Sequence, residues 1–356
     1  MSDSRPPPPR FRRDRRSHVP RRIGADYSDA VLATSRPRLR RTVVAVLAFT
    51  GALTVVAAGL VGVGGPTATA APLGPQPAAG CPTLPAGATL TRSVDVRGVE
   101  RTYRMHIPTT YTGRERVPLV LAYHGRAERG ATFESYTGLS SLPAIVVYPD
   151  GLRGPDNAFA WQGAPYSSPR ADDIAFTRAI LRSVRTSACV DRNRTYAVGR
   201  SNGAGLVAML ACRMPSEFSA YATISAAVYT DSLAGCGARP VSLVDFHGTA
   251  DGVIHYDGGV RFGAPYLSSA QWLRTWTSRA GCGDIPVTAA VNSVVDRVSW
   301  PVCAGAGPQV VHYRIRGGTH RWPGSAGNPA EGGASDTISA TRLLWQFFAS
   351  SPHAST

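Results

Sequence analysis

Lysine is absent from the 356 residues, so every one of the 38 strongly basic side chains is an arginine. That absence reads as base composition rather than as chemistry. Metal-ligand spacing is also missing: the chain contains no CxxC and no HxxxH. Metal ligation is therefore not expected, and neither is a cofactor. No cysteine occurs before position 81, and none follows the early apolar run in lipobox position, so a lipid anchor is not supported. Charge is missing altogether from residues 42–63.

The charge that is present is uneven. Of a net +15, residues 1–71 hold twelve arginines against four aspartates. The densest run, "RFRRDRRSHVPRR", precedes the apolar segment "TVVAVLAFTGALTVVAAGLVGV". Basic charge beside an apolar run is topogenic. A nucleic-acid partner would instead need charge clustered on the rest of the chain, and none is expected. Residues 1–41 read as a basic tail. Residues 42–70 read as a signal peptide ending at Ala68-Thr69-Ala70 or, at 22 apolar residues, as a membrane anchor, the only route to a membrane. "LRRTVV" matches a twin-arginine signal only weakly, and the long run-in suggests a start near Val31 or Leu32. Residues 71–87 form a Pro/Ala/Gly-rich linker, and 88–350 a folded domain. Cysteines 81, 189, 212, 236, 282 and 303 all follow the apolar run, which fits an oxidising compartment and a secreted protein. Six cysteines allow 15 pairings. Cys282 with Cys303 is the favoured pair, because the two flank a polar, strand-like insertion.

"TLTRSVDVRGVERTYRMHIP" alternates on either side of Arg97-Gly98 and predicts an opening hairpin. Six apolar runs then predict strands: "VPLVLAYHG", "AIVVYPDG", "TYAV", "YATISA", "VSLVDFHG" and "VVHYRIRGG". Helical spacing marks "DDIAFTRAILRSVRTSACV", "NGAGLVAMLACRM", "YLSSAQWLRTWTSRAGC" and a closing "SDTISATRLLWQFFAS", with Ser335 or Asp336 as its cap. Apolar strands alternating with helices predict an α/β fold with a mostly parallel sheet covered on both faces. Ligands then bind beyond the carboxyl ends of the strands.

That rule singles out "TYAVGRSNGAG". Ser201 follows a strand and precedes a helix, as a nucleophile elbow requires, with Gly199 and Gly203 making room for the reversal. A serine hydroxyl needs a base to take its proton. His320, in the glycine-rich "IRGGTHRWPG", is the best placed; His312 lies within a strand, His353 in the tail, and His255 only four residues after the best acid. Asp251 in "DFHGTADG" can orient the imidazole, with Asp245 and Asp257 as alternatives. The developing oxyanion needs two donors, expected to be the backbone N–H groups of Asn202 and Arg126.

The segments "RTYRMHIP", "LAYHG", "VVYPDG", "DDIAF", "VGRSNGAG", "HGTADGVIHYDGG" and "GGTHRWPG" occur in an order that resembles the secreted polyhydroxybutyrate depolymerase and feruloyl esterase family of α/β-hydrolases. The likeness spans residues 89–349. It implies an α/β-hydrolase fold and a serine esterase with Ser201 as nucleophile, Asp251 as acid and His320 as base. The surroundings of Cys282 and Cys303 also look like the family's bridged insertion. Three departures stand out: "RAERG" where glycines usually follow His-Gly, Thr319 in place of a third glycine, and His255 in place of proline.

Only residues 226–240 separate the fourth and fifth parallel strands, leaving no room for a large lid. An open cleft suits a bulky or polymer-attached ester, feruloyl or polysaccharide-linked ahead of polyester. Trp161, Tyr256 and Trp322, with Tyr229, are candidates to stack on a phenolic or sugar ring, or else pack in the core. A serine peptidase of the same fold and a catalytically silent surface-binding protein remain alternatives.

Overall fold

The computed structural model describes residues 80–300, 303, 307–325 and 337–351. The basic tail, the apolar run with either reading of it, nearly all of the linker, and His353 lie outside the described residues.

The opening hairpin joins β1 (Thr89–Val96) to β2 (Val99–His106). Arg97 and Gly98 form its turn, both at positive φ, 55° and 78°. The six apolar runs form β3 (Val117–Tyr123), β4 (Ile145–Pro149), β7 (Val190–Arg200), β8 (Ala220–Ile224), β9 (Ser242–Gly248) and β14 (Val310–Ile315). Between them fall two small ribbons, β5 (Leu152–Arg153) with β6 (Phe159–Ala160), and β10 (Gly259–Arg261) with β11 (Ala264–Tyr266). The polar insertion forms β12 (Val287–Ala290) and β13 (Val295–Ser299). One ten-stranded sheet runs β1-β2-β4-β3-β7-β8-β9-β14-β13-β12. Its six central strands are mutually parallel, and the hairpins at both ends are antiparallel.

The period of two in each central strand feeds two separate cores. On β3, Leu119, Leu121 and Tyr123 face one core, while Val120 and Ala122 face the other. Helices α2 (Asp173–Ser187), α3 (Asn202–Arg213) and α4 (Ser269–Arg279) pack into the first. Helices α1 (Gly130–Thr137) and α5 (Ala340–Ser350) close the second. Asp172 caps α2 by accepting from the Ala175 amide, while Asp173 turns inward to the buried Arg101 at 2.7 Å. The cap of α5 is a correction: Ser339, not Ser335 or Asp336, accepts from the Arg342 amide, and the helix starts at Ala340. Between β8 and β9 the chain makes one 3-10 turn, Thr230–Leu233, and no lid.

Disulfides join Cys81 to Cys189, Cys212 to Cys236 and Cys282 to Cys303. The first closes a 108-residue separation and ties the start of the described chain to the entry of β7. In the loop-entropy picture such a bridge contributes about 4–5 kcal/mol.

Candidate active site

Ser201 sits where β7 stops and α3 begins, at φ 55° and ψ −121°. A non-glycine residue held there stores roughly 1–3 kcal/mol and stays only if its surroundings impose it. They do so through the backbone: the Ser201 amide donates to Ile224, and its carbonyl accepts from Gly205 and Ala227. Packing demands glycine on both sides. A Cβ on Gly199 would lie 2.4 Å from the Gly203 carbonyl oxygen, and one on Gly203 would lie 2.2 Å from that of Tyr123. The turn therefore lifts the hydroxyl beyond the sheet while α3 presses against β3.

Asp251 follows β9 in a tight turn. Its Oδ1 accepts from the amides of Val253 and Ile254, both at 2.8 Å. Its Oδ2 lies 2.8 Å from His320 Nδ1 and 3.3 Å from His247 Nε2. Burial alone would raise the Asp251 pKa, but the hydrogen bonds from His247 and His320 win and hold the carboxyl well below the usual range. An ionised carboxylate only accepts, so His320 Nδ1 carries the proton and a neutral ring keeps its Nε2 lone pair. Ser201 and His320 line one cavity of about 130 Å³, walled by Gly125, Arg126, Tyr166, Arg200, Ile254 and Phe262 among others. A hydrogen bond between Ser201 and His320 is not among those of the described residues; such contacts often close only when substrate is bound.

The alternative acid and base pair with each other. Asp245 accepts from His312 Nδ1 at 2.9 Å and from Thr223 at 2.6 Å, deep in the sheet. His255 is exposed; its amide donates to the Tyr266 hydroxyl and its carbonyl accepts from the Gly258 amide.

His124-Gly125 follows β3 and leads into the loop beside Ser201. His124 Nε2 accepts from the Gly151 amide and Nδ1 donates to the Gly125 carbonyl, so the ring is neutral. Burial is the main cause of its lowered pKa. In the turn that follows, Ala127 takes φ 65°, the left-handed conformation that glycine would adopt more readily. The flanking amides are engaged: Gly125 donates to Glu128 and Ala127 to Phe159. Among the described residues the amides of Asn202 and Arg126 have no acceptor. Arg126 is also ion-paired through its side chain to Asp156.

Of the two readings open for the aromatic candidates, stacking on substrate or packing in the core, the structure places Trp161 and Trp322 in the core. Trp161 is fully buried: its indole donates to the His124 carbonyl and its amide to the Asn202 side chain. Trp322, 2% exposed, packs edge-on against Phe133 and donates to Thr341. Both belong to the core, where no substrate reaches them. Tyr229 is buried too, and Tyr256 contacts His312 rather than the cavity. The cavity is walled instead by Tyr166 and Phe262, which meet edge-on at 4.8 Å. Phe262 lies in the β10–β11 turn at φ 52°, half exposed, with Arg261 beside it. The "VRFGAP" hairpin signal was in the sequence, but its fall over the cavity is tertiary. A larger cleft of about 550 Å³ lies around Arg97, Arg170 and Arg213, but no serine, threonine or cysteine lines it. Among the described residues no cluster of three or more His, Cys, Asp or Glu side chains is arranged to hold a metal ion.

A strained serine between a parallel strand and a helix, with a carboxylate-bound imidazole lining the same cavity, is an arrangement that the α/β-hydrolase fold provides. The sequence profile described as Esterase PHB depolymerase matches residues 101–262. Feruloyl esterase B of Piromyces equi is 32% identical over 191 residues, covering 50% of this chain and 35% of that protein. Feruloyl esterase C of Emericella nidulans is 30% identical over 202 residues, 53% of this chain and 68% of that one. In fold, the chain is similar to the acetyl xylan esterase from Aspergillus awamori, with a TM-score of 0.52 at 13% identity, over 73% of this chain and 99% of that one. The chain belongs to the polyhydroxybutyrate depolymerase and feruloyl esterase family.

Proposed function

We propose a secreted serine esterase in which residues 88–350 carry the chemistry, Ser201 is the nucleophile, His320 the base and Asp251 its orienting acid. The observation that carries this reading is the 2.8 Å hydrogen bond from His320 Nδ1 to Asp251 in the cavity wall shared with Ser201. Ser201 Oγ attacks the ester carbonyl while its proton passes to His320 Nε2. The oxyanion takes hydrogen bonds from the Asn202 and Arg126 amides, each worth about 3 kcal/mol in the transition state. The carbon–oxygen bond breaks, and His320 returns the proton to the departing alcohol. Water then attacks the acyl-serine, gives its proton to His320, and releases the acid as Ser201 regains its hydrogen.

The short β8–β9 connection leaves the cleft open, which suits an ester held on a polymer. Tyr166 and Phe262 favour a planar acyl group such as ferulate, in line with the relatives' names. Three disulfides favour an oxidising, extracellular destination. A fluorophosphonate should label the wild-type domain and not Ser201→Ala. In a panel of methyl ferulate, acetylated xylan, nitrophenyl butyrate and polyhydroxybutyrate, methyl ferulate should be turned over best. An unlabelled wild type would sink the triad; preference for the polyester would sink the acyl assignment alone.

A further inference from the structure

Arg200 immediately precedes the proposed nucleophile, and its side chain is 2% exposed. Its Nη1 donates to Glu128 Oε1 at 2.7 Å, and its Nη2 to the His320 carbonyl at 2.8 Å. The other carboxylate oxygen of Glu128 accepts from the Gly125 amide at 3.1 Å and from the Tyr136 hydroxyl at 3.0 Å. Tyr136 in turn accepts from Arg200 at 3.3 Å. One guanidinium therefore spans three segments of the site: the serine turn on its own backbone, the 125–128 turn through Glu128, and the histidine loop through a main-chain carbonyl. The last two are neither helix nor strand, so no ladder of backbone bonds fixes them.

We propose that the Arg200–Glu128 pair is a positioning device that sets the Arg126 amide and the His320 ring relative to Ser201. The proposal rests on the triad reading above. Arginine suits the task because its planar fork holds two acceptors in fixed directions, which a lysine ammonium does not. Burial makes the pair all-or-none: removing Glu128 leaves an uncompensated charge inside the protein. The pair does not accept or donate the reaction's protons. It acts through the two groups that do the chemistry, so its loss should weaken transition-state binding more than substrate binding.

The test compares wild type with Glu128→Gln and Arg200→Lys, each normalised to sites titrated with a fluorophosphonate. The expected result is a fall in kcat per titrated site on the order of 10- to 100-fold, the scale of small misplacements of reacting groups. KM should stay within about 3-fold, and affinity for a phenylboronic acid, which mimics the tetrahedral adduct, should fall in step with kcat/KM. A purely structural role would lower the titratable fraction and the melting temperature but leave kcat per site and boronate affinity at wild-type values, which overturns the proposal. If neither variant yields titratable enzyme, Tyr136→Phe decides. A loss of about 2- to 5-fold in kcat per site supports the proposal, and no loss overturns it. Failure of the wild type to be labelled at Ser201 removes the triad and this proposal together, whereas labelling with unaltered variant turnover removes this proposal alone.

Discussion

Two aspartate–histidine pairs of nearly equal geometry join β9 to β14, one within the strands and one in the connections just beyond them, and their surroundings differ. His320 and Asp251 meet at 2.8 Å, His312 and Asp245 at 2.9 Å. In the second pair both ring nitrogens are occupied, one by Asp245 and the other by the Tyr256 hydroxyl, and Thr223 fills the carboxylate. In the first the ring stands in a cavity wall next to a serine. On the proposed triad, a bonded acid and imidazole are not by themselves enough for chemistry. The free face of the ring and what it meets set the role, and the same two residue types otherwise serve as a buried polar clasp between β9 and β14.

The sharpest way to break that comparison is to replace each acid by its amide. Asp251→Asn keeps an oxygen for the Val253 and Ile254 amides but points an NH₂ group at His320, favouring the wrong tautomer. It should lower kcat about 10⁴-fold while the fold persists. Asp245→Asn should leave kcat within about 3-fold and instead cost roughly 1–3 kcal/mol in denaturant unfolding. Equal loss of turnover in both would end the distinction.

The aromatic residues extend the contrast between site and core. Trp322→Ala should cost about 3–5 kcal/mol of stability by opening the core under α5, with the KM for methyl ferulate unchanged. Phe262→Ala should leave the unfolding midpoint near wild type and raise that KM about 10-fold, with no such change for nitrophenyl acetate. A Trp322 variant defective only in KM would return that ring to the substrate.

The smallest expected effect concerns His124. Its folded-state pKa is depressed chiefly by burial, so below the ordinary value of 6.5 the unfolded chain binds a proton that the folded one refuses. Its share of stability is present above that pH and is lost as pH falls through it. His247 works in the opposite sense: burial pulls its pKa down, but the hydrogen bond to Asp251 and the charge of Asp245 together outweigh it and raise it. The melting temperature between pH 8 and 5 should therefore fall less steeply in His124→Asn than in wild type.

Much of this was legible locally. The six parallel strands declared themselves as apolar runs, and Ser201, Asp251 and His320 each stand just past one, where an α/β sheet concentrates ligands. Helix α1, "GATFESYT", was not legible, because it carries little apolar periodicity. The start of α5 was displaced because two serines, a threonine and an aspartate compete for the cap within residues 335–339. The aromatics stayed ambiguous because large rings look alike in sequence whether they wall a cleft or fill a core. The partners of Arg200 were invisible for the same reason as the Cys81–Cys189 pairing: each depends on contacts made over long separations, which no local pattern records.

The two-residue tip formed by Phe262 and Gly263 has a consequence for how such a protein can change. It hangs from a ribbon of three paired residues per strand that is not part of the main sheet. The groups proposed to break bonds are anchored in the sheet's own connections, whereas this tip is a small detachable ornament over the entrance. Lengthening it or recolouring its chemistry would alter which guests are admitted while the machinery beneath keeps running, so diversification among such proteins has a cheap place to begin.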